Sequence, residues 1–121
     1  MTKVIRDVQV FMHAAGQTTT EENPTQAELY KKLIEEEYKE WHEALDAKDD
    51  VEDIDACFDM MWVIVGYMLS RGWDIDRIWD EGALSNLKKI DRATGKVLKR
   101  EDGKVLKPEG WQPPNFSKFA K

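Results

Sequence analysis

Two carboxylates interrupt the apolar face of the helix that the sequence predicts over residues 29–47, and they restrict what the chain can fold into. At about 100° of rotation per residue, most apolar side chains of this segment lie on one side of the helix. Glu40 falls between Leu29 and Leu33, and Glu37 lies on the same side. Burying an unpaired carboxylate is costly or forces protonation. The inner face of this helix therefore needs a compensating charge, for which a cation is the natural source.

A second predicted helix, over residues 51–71, carries a similar acidic stripe. Glu52, Asp55 and Asp59 share an arc of roughly 60° on a helical projection. An almost wholly apolar run follows them over residues 60–69. That run is too short to cross a bilayer, which takes about 20 residues, so it indicates a helix enclosed in a bundle. We expect the acidic residues of both helices to face one common space: Glu36, Glu37, Glu40, Glu52, Asp55 and Asp59.

Carboxylates at this spacing favour a hard divalent cation. Residues three apart on a helix are neighbours, so two acids placed in this way can converge on one point. Mg²⁺ takes oxygen ligands and keeps several waters while it binds a few carboxylates and substrate phosphates. Without a cation, each close pair would repel by about 4 kcal/mol at an effective dielectric constant of about 20. The pattern therefore predicts a magnesium site that accepts a polyphosphate.

Other metals fit the sequence less well. The only histidines are His13 and His42, and the residues three positions before them are Val10 and Lys39. A di-iron helical bundle needs Glu-x-x-His pairs on its helices. The sequence therefore argues against a di-iron centre.

Composition narrows the classes of partner. The formal net charge of −6 argues against general affinity for nucleic acids. The N-terminal segment lacks the apolar stretch of a signal peptide. The single cysteine, Cys57, is expected to be a small core residue, which suits a reducing compartment. We therefore expect a cytoplasmic protein that binds neither nucleic acid nor a membrane.

Periodicity elsewhere predicts two further helices and a C-terminal hairpin. The first helix spans about residues 3–15, a fourth begins at Asp74, and Thr25 is expected to cap the second. Residues 96–107 predict a β-hairpin around a tight turn at 101–103, and an extended tail follows. The expected fold is an all-α four-helix bundle with a C-terminal β-hairpin and tail.

The order of the motifs resembles that of a known superfamily. Residues 33–40, then 52–55, then Asp59 resemble the Glu-Glu-x-x-Glu … Glu-x-x-Asp signature of the all-α nucleoside triphosphate pyrophosphohydrolases. These are the MazG-like and phosphoribosyl-ATP pyrophosphohydrolase-like proteins. Residues 85–89 resemble the Asn-x-x-Lys element of their short, often phage-borne members, and residues 102–108 are similar to the tails of those members.

The resemblance implies a fold, a reaction and a set of metal ligands. Residues 1–90 would form a helical metal-binding pyrophosphohydrolase domain of the MazG-like kind, and residues 91–121 would extend the same domain. The reaction would be hydrolysis of a nucleoside triphosphate to the monophosphate and pyrophosphate, with Mg²⁺ or with Mn²⁺ in its place. The catalytic group would be Glu36, Glu37 and Glu40. By motif position the metal ligands would be Glu37, Glu40, Glu52 and Asp55, with Asp59 as a further ligand or the partner of one. Glu36 would hold a second metal ion or orient the attacking water.

The resemblance also implies how substrate and subunits are arranged. Lys89, with Lys88 as the alternate, would contact phosphate, and Asn86 would bind phosphate or sugar. His13 and Gln17 would contact the base. The likeness to phage-borne members suggests a deoxynucleotide, for example the purine dGTP, and the host cytoplasm as location. The protein would form a homodimer or a homotetramer.

Three other functions stay open at this point. The chain is also compatible with a catalytically silent helical module that binds a partner, with a nucleotide sensor that does not cleave, and with a phosphoribosyl-ATP pyrophosphohydrolase. Individual residues have plainer roles too. His13 and Gln17 could be surface or capping residues, while Asn86 and Lys89 could be an ordinary exposed helix end.

Overall fold

Four α-helices follow one another in the computed structural model, which describes residues 2–120. They are α1 (Lys3–Ala14), α2 (Pro24–Ala47), α3 (Asp50–Ser70) and α4 (Ile75–Leu87), and a short 3-10 helix (Ser117–Phe119) lies near the C-terminus. No strand is present between residues 2 and 120, so the expected all-α class is confirmed. None of the helices in this range has the length and apolar character needed to cross a membrane.

The chain divides into two compact units. The first unit is Met1–Ile75 and holds α1, α2 and α3, and the second unit is Asp76–Lys121 and holds most of α4 with the C-terminal segment. The division lies upstream of the limit at residue 90 that the sequence suggested, and the grouping of the whole chain into one domain stays a prediction.

The helix caps explain where α2 and α3 begin. Asn23 caps α2, because its side chain accepts a hydrogen bond of 3.1 Å from the Gln26 backbone N–H. Pro24 occupies the first helical position, where its fixed φ and missing N–H are tolerated. The expected cap at Thr25 is therefore wrong by two residues. Asp49 caps α3 in the same way, by accepting from two backbone N–H groups.

The connection between α2 and α3 makes them an antiparallel pair. Only Lys48 and Asp49 lie between the two helices. Lys48 has a left-handed backbone, with φ of 54°, and its N–H bonds back to the last turn of α2. Because so short a link reverses the chain, α3 runs back along α2 over most of its length. Acidic residues on the facing sides are thereby brought to the same level.

The core of the first unit lies where α1 crosses this pair. It consists of apolar side chains from α1, α2, α3 and the first residue of α4. The buried members are Ile5, Val8, Met12, Tyr30, Val63, Leu69 and Ile75. Val8 and Met12 are fully buried, so α1 contributes the centre of this core.

The α2 side chain Tyr30 approaches the α3 backbone closely at Gly66. A Cβ atom built at this position would lie 2.6 Å from Tyr30 Cδ1 and 2.7 Å from Tyr30 Cζ, inside van der Waals contact. Tyr30 is itself buried and donates a hydrogen bond of 2.7 Å to Gln17 Oε1. The glycine therefore lets the Tyr30 ring lie flat against the α3 backbone.

The outer face of α3 is apolar and exposed, which differs from expectation. The apolar run of α3 was expected to be enclosed, yet Met61 and Ile64 are exposed. Cys57 is exposed as well, so its expected core position is wrong. The reason is that α1 and α2 cover only the side of α3 that carries Ala56, Val63 and Gly66. We call the exposed residues Val51, Ile54, Phe58 and Met61 the α3 outer face.

In the second unit the C-terminal segment runs back along α4. The Asn115 backbone N–H donates to Glu81 Oε1 at 2.9 Å, and the Trp111 indole N–H donates to the Ser85 carbonyl at 2.8 Å. Nearer the C-terminus, the Arg77 guanidinium lies over the Phe119 ring. These contacts follow successive turns of α4 in reverse order, so the tail is antiparallel to the helix.

The expected C-terminal β-hairpin is wrong, although its turn lies where the sequence placed it. Lys99 and Val105 form an isolated antiparallel bridge, and the Gly103 N–H donates to the Arg100 carbonyl at 2.9 Å. No strand forms on either side of this turn. Leu98 and Leu106 are both exposed, so the ribbon buries no apolar face. Two strands without such a face are marginally stable in water.

Gly66→Ala is expected to lower the free energy of unfolding by about 1 to 3 kcal/mol, because the added methyl group overlaps the Tyr30 ring. The measurement is urea denaturation followed by circular dichroism. Gly82→Ala is the matched control, since its Cβ would meet only the edge of the Phe116 side chain at 3.3 Å and alanine favours a helix interior. Equal stability losses in both variants would contradict the close approach at Gly66.

Candidate active site

Four carboxylates form an acidic cluster between α2 and α3. Glu37 and Glu40 lie one turn apart on α2, and Asp55 and Asp59 lie one turn apart on α3. Glu37 and Asp59 are half-buried, whereas Glu40 and Asp55 are exposed. The Glu37 Oε2 atom is buried, and it has no hydrogen-bond partner among residues 2–120. A carboxylate oxygen in that position is costly unless a cation or a proton compensates it.

The two half-buried members of the cluster, Glu37 and Asp59, lie in the field of the other carboxylates. Burial raises the pKa of Glu37 to about 7, together with the negative charges of Asp59, Glu40 and Asp55 and a hydrogen bond between the Glu37 and Glu40 side chains. Burial also raises the pKa of Asp59, with Asp55 and Glu40 adding to the effect. Close carboxylates perturbed in this way are typical of functional sites, because a structural protein gains nothing from the repulsion.

The other two acids of the predicted set lie outside this cluster. Glu36 and Glu52 are exposed. Neither is among the groups that raise the pKa of Glu37 or of Asp59. Glu36 was expected to face the common space, but it directly precedes Glu37, and about 100° of helical rotation between the two takes it to the solvent side. Glu52 belongs to the first turn of α3, where its backbone N–H bonds to Asp49.

The acidic cluster contains oxygen donors that suit a metal ion, but their side chains do not converge on one point. No group of three or more His, Cys, Asp or Glu side chains in the described chain is positioned to chelate an ion as it stands. The donor chemistry nevertheless fits a hard cation, since all donors are carboxylate oxygens and Glu37 Oε2 has no protein partner. Glu40 and Asp55 are exposed, so their side chains can turn towards that oxygen without repacking the core.

A hydrogen bond that the sequence did not reveal ties the two helices beside the cluster. The Trp41 indole N–H donates to Asp53 Oδ1 at 2.9 Å. Trp41 follows Glu40 directly, and Asp53 lies two residues before Asp55. The sequence shows a tryptophan directly after a motif acid, but it does not show which residue the indole N–H contacts. This contact holds the acidic motifs of α2 and α3 in register.

His13 and Gln17, which were predicted to contact a nucleotide base, form hydrogen bonds that stabilise the loop between α1 and α2. His13 Nε2 lies 2.8 Å from Thr19 Oγ1, and Gln17 Oε1 accepts the hydrogen bond from the Tyr30 hydroxyl. The buried Gln26 side chain donates to the Thr18 carbonyl and to Ser70 Oγ. This network gives His13 and Gln17 structural roles. Contact with a nucleotide base stays a prediction for both.

The predicted phosphate contacts lie in the second unit. Lys89 Nζ donates to Asn86 Oδ1 at 3.1 Å and lies 4.9 Å from the centre of the Trp111 ring. Lys88 is exposed. The structure thus joins Asn86, in the last turn of α4, to Lys89, two residues beyond its end. Trp111 is a contact of Lys89 that the sequence did not predict.

Comparison with known proteins identifies the class of protein to which this chain belongs. A family model for phosphoribosyl-ATP pyrophosphohydrolase matches residues 6–86, which is well over half of the chain and includes the whole acidic cluster. The class is that of the MazG-like all-α nucleoside triphosphate pyrophosphohydrolases, which are hydrolases acting on phosphoanhydride bonds. Within it, this chain belongs to the phosphoribosyl-ATP pyrophosphohydrolase family. No curated protein matches the chain.

Glu37→Gln is expected to stabilise the metal-free protein at alkaline pH. The pKa of Glu37 is raised from 4.5 to about 7, so as the pH rises between these values the unfolded chain loses a proton that the folded chain retains. Folding stability therefore falls across this window, and the full cost, about 1 to 3 kcal/mol, is present above pH 7. Urea denaturation in EDTA at pH 5 and at pH 8 measures the change.

Glu36→Gln is the control for this experiment, because Glu36 is the exposed neighbour on the same helix. The Glu37→Gln variant should gain stability over the wild type at pH 8 and little at pH 5. If the wild type and Glu37→Gln lose stability equally between the two pH values, the burial of Glu37 is not what the structure indicates.

Proposed function

We propose that this protein hydrolyses a nucleoside triphosphate, ribo- or deoxy-, to the monophosphate and pyrophosphate, with Mg²⁺ or Mn²⁺ as cofactor. A purine deoxynucleotide such as dGTP is the first candidate substrate. The observation that carries the proposal is the acidic cluster, in which Glu37 Oε2 is buried without a partner beside three further carboxylates. The family match over the same residues supports it.

The acidic cluster is the proposed metal site. Its four carboxylates would hold the ion, with Glu52 as a further ligand from the first turn of α3. A bound divalent ion neutralises phosphate charge and lowers the pKa of a water molecule. Glu37 would have to give up its proton when the ion binds, because only the ionised carboxylate is a ligand. Glu36, on the exposed side of α2, is proposed to orient the attacking water.

Five residues outside the acidic cluster have proposed roles in binding substrate. Lys89 and Asn86, joined by their hydrogen bond, are proposed to contact phosphate, with Lys88 as the alternate lysine. His13 and Gln17 are proposed to contact the base while each keeps its hydrogen bond near the loop after α1. Gln17 uses only its amide oxygen in that loop, so its two N–H donors remain for a ligand.

Phosphoribosyl-ATP is the second candidate substrate, and the family match is compatible with it. It carries a triphosphate as well, so the same carboxylates and lysines would serve. The two candidates differ only in what binds around the base and the sugar. A direct comparison of the two compounds as substrates therefore separates them.

Turnover of a nucleotide panel tests the proposed function. Purified protein is incubated with each NTP, each dNTP and phosphoribosyl-ATP, with Mg²⁺, with Mn²⁺ or with EDTA, and the products are separated. We expect monophosphate and pyrophosphate from at least one compound, and none in EDTA. Diphosphate and phosphate as products would point to a different reaction. A protein that cleaves none of the compounds would instead be a partner-binding module or a nucleotide sensor.

Two variants connect that turnover to the acidic cluster. Glu40→Gln and Asp55→Asn should each lower kcat at least a hundredfold, because both remove an oxygen charge while keeping the side-chain shape. Circular dichroism should show unchanged helicity. The matched control is Glu35→Gln, on the exposed side of α2, which should keep wild-type activity. Wild-type rates in either cluster variant would reject the proposed metal site.

We also propose that the protein assembles as a homodimer or a homotetramer through the α3 outer face. Its residues Val51, Ile54, Phe58 and Met61 are spaced by three, four and three positions, the spacing of a helix–helix seam. Their exposed fractions are 73%, 70%, 54% and 57%. A contiguous apolar stripe of this kind on a helix is typical of an interaction surface.

Ile54→Lys should disrupt this assembly, because an ammonium group cannot be buried unpaired in an apolar seam. The measurement is light scattering coupled to size-exclusion chromatography, with the mass of the variant expected to fall to that of one chain for a dimer, or to at most half of the wild-type mass for a tetramer. Leu98→Lys is the control, since Leu98 is equally apolar and also exposed but lies outside α3. A monomeric wild type, or an Ile54→Lys variant that keeps the wild-type mass, would reject the proposed interface.

A further inference from the structure

Two lysines from separate segments of the second unit lie against one tryptophan. Lys89 Nζ is 4.9 Å, and Lys107 Nζ is 5.2 Å, from the centre of the Trp111 ring. An ammonium group within about 6 Å of an indole face is attracted by its electron density. Because both ammonium groups are near the same ring centre, they are no more than about 10 Å apart.

Trp111 is held in place by the end of α4. Its indole N–H donates to the Ser85 carbonyl at 2.8 Å, and the Ser85 hydroxyl donates to the Gln112 carbonyl at 3.3 Å. Ser85 is buried. The half-buried ring is therefore anchored through its polar edge, which leaves its faces to the lysines.

A tight turn places Lys107 beside the same ring. The Trp111 backbone N–H donates to the Pro108 carbonyl at 3.1 Å, which closes a four-residue turn. Gly110 is the third residue of this turn and has φ of 78°. That conformation is the one in which type II turns require glycine. The turn reverses the chain directly after Lys107, so the side chain of Lys107 meets the ring of Trp111.

Both lysines keep N–H donors that no hydrogen bond among the described residues 2–120 uses. An ammonium group has three N–H donors, and Lys89 directs one of them to Asn86. The ion pairs found among residues 2–120 do not include Lys89 or Lys107. Two cations gathered at one ring repel each other, and an anion that contacts both removes this repulsion.

We propose that Asn86, Lys89 and Lys107, assembled around Trp111, form a binding site for the polyphosphate of the nucleotide. This site rests on the proposed function, which supplies a triphosphate substrate and a pyrophosphate product. A polyphosphate suits it better than a single phosphate because its charge is spread along a chain that reaches two separated cations. Trp111 is a positioning residue in this site, and Lys107 is a phosphate contact.

Calorimetric titration of the full chain with inorganic pyrophosphate, in EDTA and at low ionic strength, tests the site. Without a divalent ion the carboxylates of the acidic cluster cannot bind the probe through a metal. Lys107→Ala and Lys89→Ala should each weaken binding about three- to tenfold, the size expected when one exposed charged contact is lost. Lys104→Ala is the matched control and should change the affinity less than about twofold, since Lys104 is an exposed lysine of the same segment.

A double-mutant cycle tests the positioning role of Trp111. Trp111→Ala alone should weaken binding at least as much as Lys107→Ala. Added to a variant that already lacks both lysines, it should cause no further loss, because it acts only through them. A further loss of similar size would overturn this role. If Trp111→Ala disturbs the tail, the comparison of Lys107→Ala with Lys104→Ala still decides the site.

The outcomes separate this site from the proposed function. Wild-type affinity in Lys107→Ala, or equal losses in Lys107→Ala and Lys104→Ala, would overturn the site even if the protein hydrolyses nucleotides. A wild type that does not bind pyrophosphate in EDTA would overturn it as well. Binding that depends on Lys107, in a protein that cleaves no nucleotide, would uphold the site and reject the proposed function.

Discussion

The burial of the Glu37 carboxylate between α2 and α3 is the constraint on which the first unit depends. The two-residue connection at Lys48 and Asp49 forces the helices to run antiparallel, and the missing side chain at Gly66 lets them approach closely. This proximity brings the acids of both helices together, and the pKa of Glu37 rises to about 7 as a result. The close contact that stabilises the core therefore creates an electrostatic cost, which a cation can remove.

The residues with proposed functions are divided between the two units of the chain. The family match covers the acidic cluster and ends at Asn86, so the shared chemistry belongs to the helices. Lys107 and Trp111 lie beyond that match, in a segment held to α4 by hydrogen bonds. The two lysines at Trp111 are therefore assembled by this segment and α4 together.

Prediction from the sequence worked best where a local pattern decides the structure. Each of the four helices was expected, since helical periodicity depends only on neighbouring residues. Errors arose where a neighbouring residue, or the presence or absence of a distant packing partner, determined the structure instead. Pro24 allowed α2 to begin before Thr25, and the outer face of α3 left Cys57 exposed because no other helix covers it. The turn at 101–103 formed as expected, but the strands beside it did not, since no partner surface is available to them.

The sequence by itself determined the helices, the family and the presence of carboxylates on the inner sides of α2 and α3, because motif spacing and helical phase are properties of the chain alone. Only the tertiary structure decided that Glu37 and Asp59 are half-buried while Glu36 and Glu52 are exposed, since a phase angle does not state how deeply a neighbouring helix covers each position. It also decided that Lys89 and Lys107 meet at Trp111. That contact depends on a turn and a hydrogen bond between residues distant in the chain, which no periodicity encodes.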